Sequence, residues 1–241
     1  MQHDRLTRQL LIRGAAVLVA LAVAGTVLLF IMTPSGSDIE GLTARVAREH
    51  HVTLLQAGEV PPQLADLLVA TEDERFYQHH GIDVIGIARA LLNDFQRACF
   101  CEGGSTLTQQ LVKQTYLDGS DLGLNKLRGV ALAFKVETVI GKRQILADYL
   151  SITPFGFGLF GASAASCAYF HRPLGELDLA QYALLAGLPQ APVAYDPRTH
   201  PDLAVQRRSQ VLGRGVSEGY ITRAEADAAN AEPLLAAGSS C

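Results

Sequence analysis

Residues 14–32 hold no charged side chain. Nineteen residues rising about 1.5 Å each span roughly 28 Å as a helix, close to the thickness of a bilayer core. Arg5, Arg8 and Arg13 precede the run, with Asp4 as the one acid before it. The excess of arginine is expected to keep residues 1–13 in the cytoplasm and to place everything after Met32 outside it. Two other readings of the run stay open. One is a buried core helix. The other is a cleaved signal peptide, for which Ala22-Val23-Ala24 offers small residues, although Val27 to Met32 would then remain apolar after cutting. Thr33 to Asp38 reads as a short polar linker.

The rest of the chain is built for helices. Hydrophobic residues make up 49% of the 241, Trp is absent and aromatics are sparse, so a packed core is attainable and sheet is disfavoured. Residues 33–60 are expected to hold the linker and the start of the extracytoplasmic region, 61–233 the main domain and 234–241 a tail. Pro61-Pro62 opens a helix with Leu64, Leu67, Leu68 and Thr71 on one face. Ile85, Ala88, Arg89 and Leu92 continue the pattern. Further helices are expected from Thr106, over 127–139 and over 143–152. Asp178 with Gln181 and Thr222 with Glu225 are helix-start capping pairs. Phe155 to Gly161 reads as a loop. The fold class is all-α, with no run of alternating strands.

Beyond residue 32 the chain carries 17 basic and 23 acidic residues. A strongly basic nucleic-acid surface is therefore not expected. None of Cys99, Cys101, Cys167 and Cys241 has zinc-site spacing. Outside the cytoplasm Cys99 or Cys101 could pair with Cys167 or Cys241; buried free thiols are the alternative.

Two stretches carry chemistry. The first is Thr71-Glu72-Asp73-Glu74-Arg75-Phe76, followed by His79 and Gly81. A carboxylate held against an apolar helix face has its pKa raised by desolvation, and neighbouring carboxylates push the same way. Such a group can accept a proton from a sugar hydroxyl near neutral pH. Taken alone, such a triplet more often marks a solvated helix end. His79 reads as a buried supporting residue rather than a proton carrier.

The second is Gly103-Gly104-Ser105-Thr106-Leu107-Thr108-Gln109-Gln110. Two glycines allow close backbone approach, and Ser105 or Thr106 can cap the helix with Thr108 or Gln109 three residues on. The helix N-terminus offers backbone N–H groups and partial positive charge. Thr106, Gln109 or Gln110, and Lys113 share a face at helical spacing. Hydroxyl, amide and ammonium groups together suit a diphosphate. A well-capped helix without a ligand is the alternative.

Taken together the two stretches resemble the peptidoglycan glycosyltransferases, family 51 of the glycosyltransferases. Glu72-Asp73-x-x-Phe76-x-x-His79-x-Gly81 matches the family's first signature, and Gly-x-Ser-Thr-x-Thr-Gln-Gln the second. Lys142-x-x-Ile145-Leu146-x-x-Tyr149-Leu150 looks like the fourth. Later blocks, including Leu184 to Pro192, Arg207-Arg208 and Gly219 to Thr222, also match. The resemblance covers about Pro61 to Pro233. It implies a lysozyme-like domain of two lobes with the cleft between them, and the more apolar lobe near the membrane. It makes Glu72 the general base. Asp73, Phe76, His79, Gly81, Ser105, Thr106, Thr108, Gln109, Gln110, Lys113 and Lys126 are the implied substrate-binding residues.

The implied substrates are the lipid-linked disaccharide-peptide, lipid II, and the growing lipid-linked glycan, with release of polyprenyl diphosphate. No cofactor is required by the resemblance, although a divalent cation, Mg2+ or Mn2+, could assist at the diphosphate; no metal site is read from the sequence. Implied partners are the membrane and other cell-wall synthesis or division proteins, with a single-pass location in the bacterial cytoplasmic membrane. No room is left after the last helix for a transpeptidase domain, so a single activity is expected.

The third signature, Arg-Lys-x-x-Glu, is damaged. It falls at Asn125-Lys126-Leu127-Arg128-Gly129, where the lysine alone survives. Ala147 stands where the fourth signature has Glu, beside Asp148, and Ser151 where Asn is usual. Two other classes stay open: a protein that binds the precursor without polymerising it, and a lysozyme-like glycan hydrolase.

Overall fold

A computed structural model describes residues 2–97, 104–120 and 122–235. Helix α1 spans Gln2–Met32, and its Ile12–Met32 stretch is long and apolar enough to cross a membrane, with none of that stretch buried. Ten further α-helices follow among the described residues: α2 (Ile39–Glu49), α3 (Pro62–Glu72), α4 (Val84–Arg97), α5 (Leu107–Tyr116), α6 (Leu124–Val136), α7 (Lys142–Ile152), α8 (Ala162–Phe170), α9 (Leu179–Gly187), α10 (Pro201–Ser217) and α11 (Arg223–Ala231). The mostly helical expectation holds. The departure is a small antiparallel hairpin, β1 (Pro154–Gly156) with β2 (Leu159–Phe160), in the stretch expected to be a loop. Gly158 takes φ +70° in its turn, a conformation open to glycine.

The helices form two groups around a shared core. In one, α3, α9 and α10 pack against each other and α11 covers α10. Leu64, Leu67 and Leu68 of α3 are fully buried, as their spacing requires. Gly215 lets α10 approach, since a Cβ there would sit 2.7 Å from the Leu67 side chain. Buried Arg208 holds the end of α11 through the carbonyls of Asn230 and Glu232 at 3.0 and 2.9 Å, a cation at a helix C-terminus.

In the other group α5 packs on α6 and α7, and α2 lies across α5 and α7. Ile39, Thr43, Val46 and Ala47 of α2 are buried, so residues 39–49 are part of the folded body. Helix α1 meets this group at α6. Phe30 and Phe134 meet edge to face at 6.1 Å. Lys135 Nζ donates to the Phe30 and Thr33 carbonyls at 2.6 and 2.7 Å and covers the Phe30 ring. These carbonyls end α1, where a cation is favoured.

Cys167 is disulfide-bonded, which removes the free-thiol alternative for that residue. Cys99, Cys101 and Cys241, like Gly103 of the second stretch, lie outside the described residues.

Candidate active site

Glu72 is the last residue of α3, at the end of an apolar face. Its carboxylate is fixed from two directions. Oε1 accepts from Arg207 Nη2 at 3.0 Å, and Oε2 from Gln110 Nε2 at 3.2 Å. The Gln110 amide is held in turn, because its Oε1 accepts from the buried Tyr149 hydroxyl at 2.8 Å. Burial pushes the Glu72 carboxyl above the ordinary carboxylate range, and the charge on Asp73 adds to this. The charge of Arg207 and the bonds from Gln110 and Arg207 oppose the rise without cancelling it.

Asp73 behaves differently although it is the next residue. Its backbone leaves the helix at φ −159° and its side chain turns inward. Oδ1 lies 2.9 Å from His79 Nε2, and Oδ2 accepts from the Leu107 backbone N–H at 3.0 Å. Leu107 opens α5, so the helix N-terminus already holds an anion, supplied by the chain itself. Thr106 caps α5: its hydroxyl accepts from Gln109 N–H at 3.2 Å, and Gln109 Oε1 accepts from Thr106 N–H at 3.1 Å. The Thr106 hydroxyl also donates to the Gly81 carbonyl at 2.8 Å. Gly81 takes φ +71° against the backbone of α6, where a Cβ would sit 2.5 Å from Phe134 N. The two chemistry-bearing stretches are thus bonded to each other. The backbone cradle expected for a diphosphate is largely spent on Asp73 and on the cap. An incoming anion is left to the side chains around it.

Those side chains line two cavities. The larger, about 870 Å³, is bordered by Glu74, Arg89, Arg207, Arg214 and Thr106. The smaller, about 440 Å³, is bordered by Gln109, Lys113, Asn125, Lys126, Gly129 and Tyr149. Glu72, Ser105, Gln110 and Gln190 line both. Among the described residues of the smaller cavity, Lys113 and Lys126 are the cations and Glu72 is the acid. Lys126 Nζ donates to Ser105 Oγ across it.

The structure brings Glu72, Ser105, Gln109, Gln110, Lys113 and Lys126 to this junction, with Thr106 and Asp73 at the edge of the larger cavity. Phe76, His79, Gly81 and Thr108 line neither. Phe76 is fully buried beneath Lys142 Nζ at 4.3 Å. Thr108 donates to Glu137, which also accepts from Lys142 at 2.8 Å. The charged residues beside the departures from the signatures, Arg128 and Asp148, line neither cavity. Arg128 is exposed. Asp148 is buried, bonded to Gln144 at 2.8 Å and within reach of the Glu40 charge of α2. Gly129 opens into the smaller cavity, with the Leu117 side chain 3.4 Å from where its Cβ would lie. Among the described residues no three His, Cys, Asp or Glu side chains are grouped to hold a metal ion.

Arg207 carried no role from the sequence beyond its place in a matching block. It is separated from Glu72 by 135 positions, and no local pattern links the two.

Residues 39–216 match the family model described as transglycosylase. A Cupriavidus necator protein named as a transglycosylase is 37% identical over 219 residues, which cover 90% of this chain and 94% of that protein. Penicillin-binding protein 1A of Haemophilus influenzae is 40% identical over 182 residues, covering 76% of this chain and 21% of that protein. Penicillin-binding protein 1F of Bacillus subtilis is 39% identical over 176 residues, covering 73% and 25%. The chain therefore spans about a fifth to a quarter of the length of these penicillin-binding proteins.

Proposed function

The chain belongs to the transglycosylase family, and from that premise we propose that it is a peptidoglycan glycosyltransferase that polymerises lipid II with Glu72 as general base. One observation carries the reading: a largely buried, doubly held carboxylate stands where two cavities meet, and one of the two is lined by lysines. Polymerisation needs this layout. The acceptor sugar enters one cavity and the lipid-linked donor the other, with a base between them.

In the proposed step Glu72 takes the proton from the acceptor hydroxyl. The freed oxygen forms a bond to the donor's anomeric carbon from the face opposite the leaving group. The bond from that carbon to the diphosphate oxygen breaks, and the electron pair leaves with the polyprenyl diphosphate. Configuration inverts. Lys113, Lys126 and Ser105 meet the charge that develops on the diphosphate, the electrostatic contribution that is commonly the largest in such sites. Gln110 and Tyr149 keep the base from turning away. A divalent cation, where it takes part, would be carried by the substrate's diphosphate.

The anchor suits a substrate that stays in the bilayer. Helix α1 supports a membrane location, and Arg5, Arg8 and Arg13, ahead of its uncharged run, support a domain outside the cytoplasm. Lipid II, the growing glycan, the membrane and other cell-wall synthesis or division proteins are the proposed partners.

Gly129 favours a second reading. In the family signature that position is Glu, and among the described residues lining the smaller cavity Glu72 is the one acid. A chain that captures lipid II without polymerising it would look the same. A glycan hydrolase is disfavoured, because finished glycan has no diphosphate for Lys113 and Lys126 to meet. Incubating the detergent-solubilised chain with labelled lipid II separates these readings. Polymer on a gel supports the transferase. Binding without polymer supports the capture protein, and muropeptides released from purified glycan would indicate the hydrolase.

A further inference from the structure

We propose that Arg207 is a positioning residue that keeps Glu72 ionised and aimed at the junction of the two cavities, an inference that rests on the reading of Glu72 as the base.

A base has to be ionised before it can take a proton, and the surroundings of Glu72 work against this. The carboxylate is largely buried, with 12% of its side chain exposed. The neighbours that face it come from five elements. Beside it at the end of α3, Asp73 is committed to His79 and Leu107 N–H, and Glu74 is paired with Arg89 and faces Arg214. From α5 comes the neutral Gln110, with Lys113 further along the same cavity, and Tyr149 of α7 acts through Gln110. Lys126 of α6 lies across the smaller cavity, bonded to Ser105. Arg207 of α10 makes the direct ion pair, at 3.0 Å.

The Arg207 side chain is itself 8% exposed and is locked in place. Nε donates to the Gly187 carbonyl at 2.9 Å, and the guanidinium lies 5.6 Å from the centre of the Tyr195 ring. Gly187 makes the room. A Cβ at that position would fall 2.8 Å from Arg207 Cγ. α9 therefore lacks a side chain at the point where Arg207 passes it, and offers a carbonyl that fixes the angle of approach. Removing two charges from water is costly, and an apolar pair of similar size serves stability as well or better. A buried pair whose acid borders two open cavities is accounted for by what it does to that acid.

The test uses the full chain in detergent. The Glu72 carboxyl is titrated by 13C NMR with labelled glutamate, and its signal is identified by loss in Glu72→Gln. Polymerisation is followed against pH in parallel. Removing an opposite charge at this distance is expected to raise the Glu72 midpoint by about 1–3 pH units in Arg207→Gln. The acid limb of kcat/KM should rise with it, so that activity lost near neutral pH returns in alkali. Arg207→Lys retains the charge and should titrate near the parent. A midpoint that stays put in Arg207→Gln, or a loss of rate that is equal at every pH, overturns the proposal. Polymer absent from the parent at every pH would sink the polymerase reading, while the NMR midpoint would still decide the role of Arg207. Should Arg207→Gln fail to fold, Gly187→Ala displaces the guanidinium and keeps its charge. Its Glu72 midpoint must then rise, and an unchanged one overturns the proposal.

Discussion

Gly81→Ala should be among the most destabilising single-methyl changes in this chain, and its cost can be divided into two parts. Gly81 sits at φ +71°, and the added Cβ would lie 2.5 Å from Phe134 N, 2.7 Å from Phe134 Cα and 2.8 Å from the Ala133 carbonyl carbon. The left-handed backbone costs an alanine about 1–2 kcal/mol. The contacts are with helix backbone, which cannot rotate aside as a side chain can, and overpacking of this kind costs about 1–3 kcal/mol more. The sum is roughly 2–5 kcal/mol. Gly119 provides the control. It has a similar φ of +78° but nothing within 4 Å of its Cβ position, so Gly119→Ala should show the backbone part alone. The chain has no Trp, so helix loss is best followed by far-UV circular dichroism during denaturant unfolding in detergent. Gly81→Ala is expected to lose clearly more stability than Gly119→Ala. Equal losses would show that the turn and α6 are not pressed together as described. The same variant should weaken activity, because the Gly81 carbonyl accepts the Thr106 hydroxyl bond that ties the turn to α5.

Two further outcomes follow from buried positions. Burial pushes the Asp148 carboxyl up to about 6, a bond from Gln144 opposes this, and the charge of Glu40 adds to it. The folded state therefore binds a proton more tightly than the unfolded chain. Stability falls as pH rises from about 4 to about 6, and the penalty is fully present above that. Asp148→Asn should stabilise the chain by on the order of 1–2 kcal/mol near pH 7 and by little near pH 4; a gain independent of pH would refute this cause. Gly129→Glu should fold, since Gly129 is in a helix and its Cβ position has only Leu117 near it. It should raise the polymerisation rate at least about tenfold if the cavity lacks a charge-handling group there. A lower rate would show that the open space serves this chain's own substrate.

Local features were legible in the sequence. Thr106 with Gln109, Asp178 with Gln181 and Thr222 with Glu225 each form the reciprocal cap that their three-residue spacing implies. The choice between Ser105 and Thr106 as cap was open from spacing, and the structure resolves it through the bonds of Thr106. Helix α2 is harder to read, because the helical spacing of Ile39, Thr43, Val46 and Ala47 spans only about three turns directly after a polar stretch that ends at Asp38. The hairpin at 154–160 is too short for an alternating pattern to register.

The unreadable parts are non-local or angular. The Glu72–Arg207 pair joins distant segments, and nothing in either segment names the other. Asp148 could not stand in for the residue at 147, because one step along a helix turns the side chain by about 100°. Asp73 matches a signature beside Glu72, yet the backbone leaves the helix between them and turns it toward His79 and Leu107. Adjacent carboxylates with opposite fates are decided by backbone geometry that residue types alone do not reveal.

The proposed function stands or falls with Glu72 as the base of a polymerising cleft. Its most direct measurement compares the parent chain with Glu72→Gln on labelled lipid II, recording the rate of polymer formation and the affinity for the precursor together. Polymer is expected from the parent, with a rate reduced by about a hundredfold or more in the variant and precursor binding retained in both. Equal polymerisation by the two would contradict it.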